Sequence, residues 1–166
     1  AISIRSCPDA SKCISSGRCL NKTTVLLNLP VEFTVDTTDA GYGRLTAIAT
    51  DPQQRAVEVS IVEEKGDRTL HHIKILPKVI GSYTVTITWN GVITPGSPFK
   101  FNAIDPSRCI VSQFPKGSIP LRQMLNFTVD TNMAGISSLI VMVTENHNKP
   151  VEMKVITASN NISEYC

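Results

Sequence analysis

Features typical of a nucleic-acid-binding protein or a membrane protein are scarce in this sequence of 166 residues. Aromatic residues make up 5% of it, and sixteen Lys and Arg residues are balanced by fourteen Asp and Glu residues. A net charge of +2, with no basic run, argues against nucleic acid as a partner. The longest apolar stretches, such as Ser138–Val143, are far shorter than the roughly 20 residues that cross a bilayer. We therefore expect no nucleic-acid partner and no membrane insertion of this segment.

Motifs that carry catalysis, phosphate binding or metal binding are also absent. The sequence has no Gly-rich phosphate loop, no His-Glu-x-x-His, no Gly-x-Ser-x-Gly and no Cys-x-x-Cys pair. The adjacent histidines His71 and His72 should point to opposite faces of a strand, one exposed and one at the rim, and so cannot easily share a metal ion. We expect no enzyme, no cofactor and no metal site.

The five cysteines leave the cellular compartment open. They are Cys7, Cys13, Cys19, Cys109 and Cys166, an odd number that leaves at least one thiol unpaired within the chain. In a secreted protein, Cys13 and Cys19 are candidates for a disulfide that closes a short loop. In a cytosolic protein, the same residues serve as small apolar side chains in edge strands.

An internal repeat is the strongest feature that the sequence does contain. Phe33–Thr37 recurs letter for letter as Phe127–Thr131, at an offset of 94. An Asp-x-Ser-x-Cys motif at Asp9–Cys13 recurs at Asp105–Cys109. A period near 95 fits a β-sandwich domain of about 100 residues and is too long for a solenoid unit. The predicted division is a leading segment, a complete unit and a partial second unit, with the bounds 1–8, 9–104 and 105–166.

Alternation of apolar and polar residues predicts β-strands throughout the first unit. Val, Ile and Thr supply 48 of the 166 residues, a composition that favours pleated sheet over helix. In Tyr83–Trp89 the apolar residues alternate with three threonines, which is typical of a strand with one buried face. Asn90-Gly91 then predicts a hairpin turn into a strand over Val92–Phe101. Seven strands in about 95 residues predict an all-β, immunoglobulin-like β-sandwich.

The same segments carry a resemblance to a known family. Five motifs together resemble the signature of a filamin repeat: Glu32–Thr37, Ala40–Gly43, Gly81–Val85, Trp89–Gly91 and Pro95–Phe99. The sequence departs from the usual filamin pattern at Gly17–Leu20, where filamin repeats usually carry Gly-Pro-Gly-Leu. The resemblance implies tandem filamin-type repeats.

The second unit is expected to be incomplete. It ends before any counterpart of Tyr83–Phe101 and so lacks its last two strands. A sandwich without those strands exposes sheet edges and an open core. We therefore expect that the polypeptide continues or that another segment completes the sheet.

Filamin repeats bind partners by strand addition, and the resemblance implies a groove between the third and fourth strands. In the first unit, the residues expected to border this partner groove are Thr46, Ile48, Thr50, Glu58 and Ser60. In the second unit, the positions that correspond to the third strand are Ile140, Met142 and Thr144. There the run Leu139–Val143 is apolar on both faces, so we expect it to be covered on both, by a peptide or a neighbouring segment. The alternative is that Ile140 and Met142 are ordinary exposed apolar side chains.

Two hypotheses for function follow. The first is a non-catalytic interaction and spacer module of a filamin-like scaffold, which links partners to the actin cytoskeleton in the cytoplasm. Its partners would be peptides added at a sheet edge and neighbouring repeats of the same chain. The alternative is an extracellular adhesion module on the cell surface, as in gamete-surface proteins built from filamin-like repeats. Three Asn-x-Ser/Thr sequons, at Asn21, Asn126 and Asn161, would then be sites of glycosylation.

Overall fold

The structure is a computed structural model, and it describes residues 7–17, 20, 24–120, 122–145, 149–152, 155–158 and 162–165. The chain divides into two compact units, Ala1–Ile104 and Asp105–Cys166. In both units strands are joined by turns, and each unit has one 3-10 turn near its start, at Ala10–Lys12 and at Pro106–Arg108. The prediction of an all-β chain is confirmed.

The first unit contains ten strands among the described residues. In chain order they are β1 Ile14–Ser16, β2 Thr24–Leu26, β3 Val31–Asp36, β4 Leu45–Thr50, β5 Ala56–Val57, β6 Val59–Glu64, β7 Asp67–Ile75, β8 Gly81–Trp89, β9 Val92–Ile93 and β10 Phe99–Ile104.

Two sheets of the first unit pack face to face. One has the strand order β1-β3-β7-β6, and the other has the order β2-β10-β8-β4-β5, with β9 also paired to β8. All pairs are antiparallel except β2 with β10. Alternate side chains of each sheet point into the space between them, which is the arrangement of an immunoglobulin-like sandwich.

The core lies between the sheets and follows the alternation of the sequence. Val31, Phe33 and Val35 of β3 are buried, and so are all four inward residues of β8 from Tyr83 to Trp89. The threonines between those β8 residues are half-buried on the outer face of the sheet. Truncation of an inward aliphatic residue such as Ile87 to Ala should therefore cost about 2–5 kcal/mol.

The predicted hairpin is present, but the strand after it is interrupted. Asn90 and Gly91 have φ values of 49° and 83°, as a tight hairpin turn requires. The expected single strand is split into β9 and β10, because the intervening segment contains Pro95 and Pro98, which cannot donate to a ladder. The Ser97 hydroxyl oxygen replaces a ladder acceptor there, accepting a hydrogen bond from the Ile87 amide at 2.8 Å.

The described part of the second unit contains six strands. They are β11 Ile110–Ser112, β12 Phe127–Asp130, β13 Thr144–Glu145, β14 Lys149–Pro150, β15 Val155–Ala158 and β16 Ile162–Tyr165.

The second unit repeats half of the first. Its four-stranded sheet has the order β11-β12-β16-β15, which matches β1-β3-β7-β6, and its β13–β14 pair matches β4–β5. Equivalent backbone hydrogen bonds also hold the residue before the 3-10 turn in each unit. The Asp9 amide donates to the Ala40 carbonyl at 2.9 Å, and the Asp105 amide donates to the Ala134 carbonyl at 2.8 Å.

The segment Leu139–Val143, expected to be a strand, is not a regular strand in the structure. Regular pairing of this stretch begins with β13 at Thr144; before it, the Val143 carbonyl accepts one hydrogen bond, from the Val151 amide at 3.0 Å. In the first unit, β4 is paired with β8 along its whole length, from Leu45 opposite Trp89 to Thr50 opposite Thr84. The described residues of the second unit include no counterpart of β8, so the ladder of this segment lacks its main partner.

Candidate functional site

The candidate site is a groove between β4 and β6, which lie at neighbouring edges of the two sheets of the first unit. On its outer side β4 pairs only with β5, through Ala49 opposite Val57 and Thr50 opposite Ala56. Among the described residues, Leu45–Ile48 therefore has no strand partner along its outer edge. We name this cleft the β4–β6 groove. Its backbone groups on β4 are available to pair with an added strand.

The floor of the β4–β6 groove is apolar. Ala47 on β4, Val57 on β5, and Val59 and Ile61 on β6 are only partly buried and pack against the core. They point inward by the same alternation as the core residues, and among the described residues no further strand lies over them. An added strand would therefore have an apolar surface on which to place every second side chain.

Sequence reasoning missed this floor. The prediction selected the outward residues of the edge strands, whereas the partly buried inward residues lie beneath the open edge. The alternation does predict that Ala47 and Val59 point inward, because each is adjacent in sequence to an outward residue, Thr46 or Ser60. What the pattern could not indicate was that these inward positions would be left without a covering strand.

The predicted border residues of β4 lie on the outer face of their sheet. Thr46 and Ile48 are exposed, Ile48 by 60%, and they lie opposite Thr88 and Thr86 of β8. Thr50, at the end of the strand, is half-buried. These side chains flank the free backbone edge of β4 but do not reach the floor of the groove.

Glu58 and Ser60 belong to the other side of the groove. Ser60 lies opposite Lys74 of β7 and, like Glu58, is exposed. The two residues line a depression of about 480 Å³ near the start of β6, together with Val57, Leu76 and Tyr83. The structure thus brings Glu58 and Ser60 together, whereas Thr46 and Ile48 face outward from the opposite sheet.

A network around Asp51 fixes the turn between β4 and β5. The Asp51 carboxylate accepts hydrogen bonds from the backbone amides of Gln53 and Arg55 and from the Arg55 guanidinium at 2.8–2.9 Å. These bonds, first that from the Arg55 amide, hold the pKa of Asp51 below its ordinary value. The turn that limits the β4–β6 groove at this end is therefore held by a charged, bonded carboxylate.

The two histidines differ more in their surroundings than the sequence indicated. His72 is exposed, and its Nε2 lies within hydrogen-bond distance of the Glu64 carboxylate. His71 was expected to be exposed or at the rim, but it is buried, because β7 is an interior strand of its sheet and His71 points into the sandwich. Its Nε2 lies 3.2 Å from the Thr37 hydroxyl oxygen, and its ring packs against Trp89. Burial lowers the pKa of His71.

In the second unit, Ile140 and Met142 are 82% and 85% exposed, and Thr144 is exposed on β13. The residues between them, Val141 and Val143, pack against the buried Phe127 and Val129 of β12. The segment therefore has one face on a small core and one face in solvent.

The cysteines and sequons are only partly within the described residues. Cys13 is buried as a free thiol, and its pKa is raised by burial first and then by Asp9 and Asp36. Its proposed disulfide partner Cys19 lies outside the described residues, so the pairing stays a prediction. Asn126 is exposed. Asn21 and Asn161 lie outside the described residues.

The described residues contain no group of three or more His, Cys, Asp or Glu side chains arranged to hold a metal ion. None of their helices is long and apolar enough to cross a membrane.

Known proteins with similar sequences point to one family of repeats. Residues 7–100 match the family model described as the Filamin/ABP280 repeat. Mouse Filamin-C is 33% identical over 160 residues, which cover 89% of this chain and 6% of that protein. Filamin-A of Drosophila melanogaster is 28% identical over 146 residues, which cover 82% of this chain and again 6% of that protein. This chain thus spans a small part of the length of these relatives.

A solved structure of FdeC, an Escherichia coli adhesin, has a similar fold. It matches 96% of this chain and 56% of its own, with a TM-score of 0.51 and 13% sequence identity. At that identity the likeness shows the fold alone.

Proposed function

Because the chain belongs to the filamin repeat family, whose repeats are non-enzymatic structural and interaction modules, we propose that it binds an extended peptide in the β4–β6 groove. The peptide adds a strand to Leu45–Ile48 and places alternate apolar side chains on the floor. The single observation that supports this proposal is the free outer edge of β4 beside an apolar, partly buried floor.

The expected affinity is modest. Burial of one Val-sized or Ile-sized side chain contributes about 1.5–3 kcal/mol, and the groove has room along β4 for two or three of them. Fixing each peptide residue costs about 1–2 kcal/mol, which offsets much of this gain. For a strand of four residues with three buried side chains, the net gain is at most about 5 kcal/mol, so we expect a dissociation constant of about 0.2 mM or weaker.

A designed peptide tests the proposal. The probe is Lys-Ser-Val-Thr-Val-Ser-Ile-Lys, in which apolar residues alternate with polar ones. We expect the peptide to slow amide exchange in Leu45–Ile48, and Ala47→Asp to weaken binding at least tenfold because it places a charge on the apolar floor. Thr46→Asp is the matched control, since that side chain points away from the floor. Equal losses in both variants, or protection only in other strands, would contradict the proposal.

At the scale of the parent molecule, we propose a spacer and docking module of an actin-linked scaffold in the cytoplasm, with neighbouring repeats of the same chain as further partners. The similarity to the mouse and fly filamins supports it. The buried, free Cys13 is compatible with a reducing compartment.

The alternative, an adhesion module on the outer cell surface, is supported by the exposure of Asn126 in an Asn-x-Thr sequon. Intact mass before and after reduction and glycosidase treatment separates the two. The scaffold proposal predicts five free thiols and no sugar on the protein from its native source. A mass gain on reduction, with a mass loss on deglycosylation, would instead place the protein outside the cell.

A further inference from the structure

We infer that the peptide bound in the β4–β6 groove carries a Lys or Arg residue whose side chain lies over Glu63, next to the apolar inward residues of the peptide. This inference rests on the proposed function, because it concerns the partner of the same groove. It adds a requirement for charge at one end of the peptide, which the apolar floor alone does not impose.

Glu63 continues the row of inward side chains on β6. Val59 and Ile61 precede it at every second position, and both belong to the floor of the groove. Glu63 lies directly opposite His71 of β7, and paired residues of antiparallel neighbours project to the same face of the sheet. Because His71 is buried in the sandwich, Glu63 also points to the inner side. The inward row on β6 therefore ends in a carboxylate.

Contacts across the core place this carboxylate at the end of the groove where β4 begins. The ring centroids of His71 and Trp89 are 6.1 Å apart, and Trp89 is paired with Leu45, the first residue of β4. At the other end of the groove, Val59 lies opposite Ile75. One end of the groove is thus apolar and the other end carries a negative charge.

The charge of Glu63 is not neutralised by an ion pair in the described part of the first unit. Glu63 is exposed, and no Lys or Arg there forms an ion pair with it. The ion pairs that Lys and Arg do form in this unit are Asp51 with Arg55 and Glu32 with Lys74. A cation from a partner can therefore approach the Glu63 carboxylate without displacing another.

The surroundings of Glu63 are also negative. Burial lowers the pKa of His71, and the carboxylates of Glu63, Asp36 and Asp67 oppose this effect, with that of Glu63 the strongest of the three. All three are thus close enough to act on one ring. A Lys or Arg side chain of the peptide at this end is attracted by them, whereas Asp or Glu is repelled.

The pattern of the partner follows from the alternation of a strand. A peptide between β4 and β6 presents every second side chain to the floor. Two of these side chains are apolar, over Val59 and Ile61, and the next one, over Glu63, is cationic. In a peptide antiparallel to β4 the cation follows the apolar residues in sequence, and in a parallel peptide it precedes them.

A peptide with the same residue at both ends tests the inference in either direction of binding. The probe is Lys-Ser-Val-Thr-Val-Ser-Lys with blocked termini, and its controls replace both Lys residues by Gln or by Glu. At low ionic strength we expect the Lys-ended peptide to bind about twofold to fivefold more tightly than the Gln-ended one. The Glu-ended peptide should bind more weakly than both. NaCl at about 0.5 M should largely remove these differences. NMR titration of the whole chain, followed at the amides of Leu45–Ile48, measures the affinities.

Variants of the chain assign the preference to one carboxylate. Glu63→Gln should abolish the preference and still bind the Gln-ended peptide, and Glu63→Lys should reverse it in favour of the Glu-ended peptide. Glu64→Gln is the matched control and should keep the preference, because that carboxylate lies beside the exposed His72.

The outcomes separate the inference from the proposed function. If the Gln-ended peptide binds at Leu45–Ile48 but the three peptides bind equally, the inference is overturned and the proposed function stands. The same holds if the preference for Lys survives in Glu63→Gln. If none of the peptides affects Leu45–Ile48, the proposed function itself is overturned, and the inference with it.

Discussion

At the scale of single residues, the feature of most consequence is the buried His71. Its Nε2 contacts the Thr37 hydroxyl, and Trp89 packs on its ring. Burial lowers its pKa, against the opposing effect of Glu63, Asp36 and Asp67. This side chain links the start of the turn after β3 to the end of β8, so that its protonation state is tied to the integrity of the core.

The stability of the first unit should therefore fall in mildly acidic solution. The ordinary pKa of His is 6.5, and the folded-state value lies below it. Between the two values the unfolded chain binds more protons, so stability is fully present above the ordinary pKa and is lost as the pH falls towards the folded-state pKa. We expect the urea midpoint to decline below a pH of about 6.5.

His71→Gln removes this titrating group and should have a flatter profile over this range. Carboxylates with lowered pKa values, such as Asp36 and Asp67, contribute only at more acidic pH. A wild-type midpoint that stays constant from about pH 7.5 to 5 would contradict the assignment to His71.

At the scale of strands and turns, the sequence predicted those elements whose side chains alternate strictly. β3 and β8 lie where Val31–Asp36 and Tyr83–Trp89 place an apolar residue at every second position. The turn at Asn90-Gly91 was predictable because Asn and Gly tolerate positive φ, which both residues have in the structure.

The remaining elements depended on contacts that local pattern does not contain. The break between β9 and β10 involves a bond from the Ile87 amide to the Ser97 side chain, ten residues away. Ser60 and Ile48 lie on different sheets because of the order of the strands. The alternation of apolar and polar residues predicts strands but does not predict that order. The segment Leu139–Val143 is irregular although its sequence favours a strand. Pairing is decided between strands, and the described residues offer this segment no partner like β8.

At the scale of the whole molecule, the two units differ in how much apolar surface they bury. In the described residues, the core of the first unit contains sixteen buried residues, and that of the second contains Phe127 and Val129 with three partly buried neighbours. Since apolar burial is the main favourable term in folding, the second unit should be the less stable one.

Unfolding of the chain in urea should accordingly show two transitions. Trp89 is the single Trp of the chain and reports on the first unit alone. We expect amide protection in Phe127–Asp130 to be lost at lower urea than the change in Trp fluorescence. Protection in Val31–Asp36 is the internal control and should be lost together with the fluorescence change. Coincident loss of all three signals would contradict this ranking.

The parallel pair of β2 and β10 has a mechanical consequence. Thr24–Leu26 lies beside Asn102–Ile104 in the same direction, and the Leu27 amide donates to the Ile104 carbonyl at 2.8 Å. These segments lie near the two ends of the first unit. A tension that draws those ends apart pulls the two strands in opposite directions along their common axis. It therefore loads their hydrogen bonds together, in shear, and the strands cannot peel apart one bond at a time.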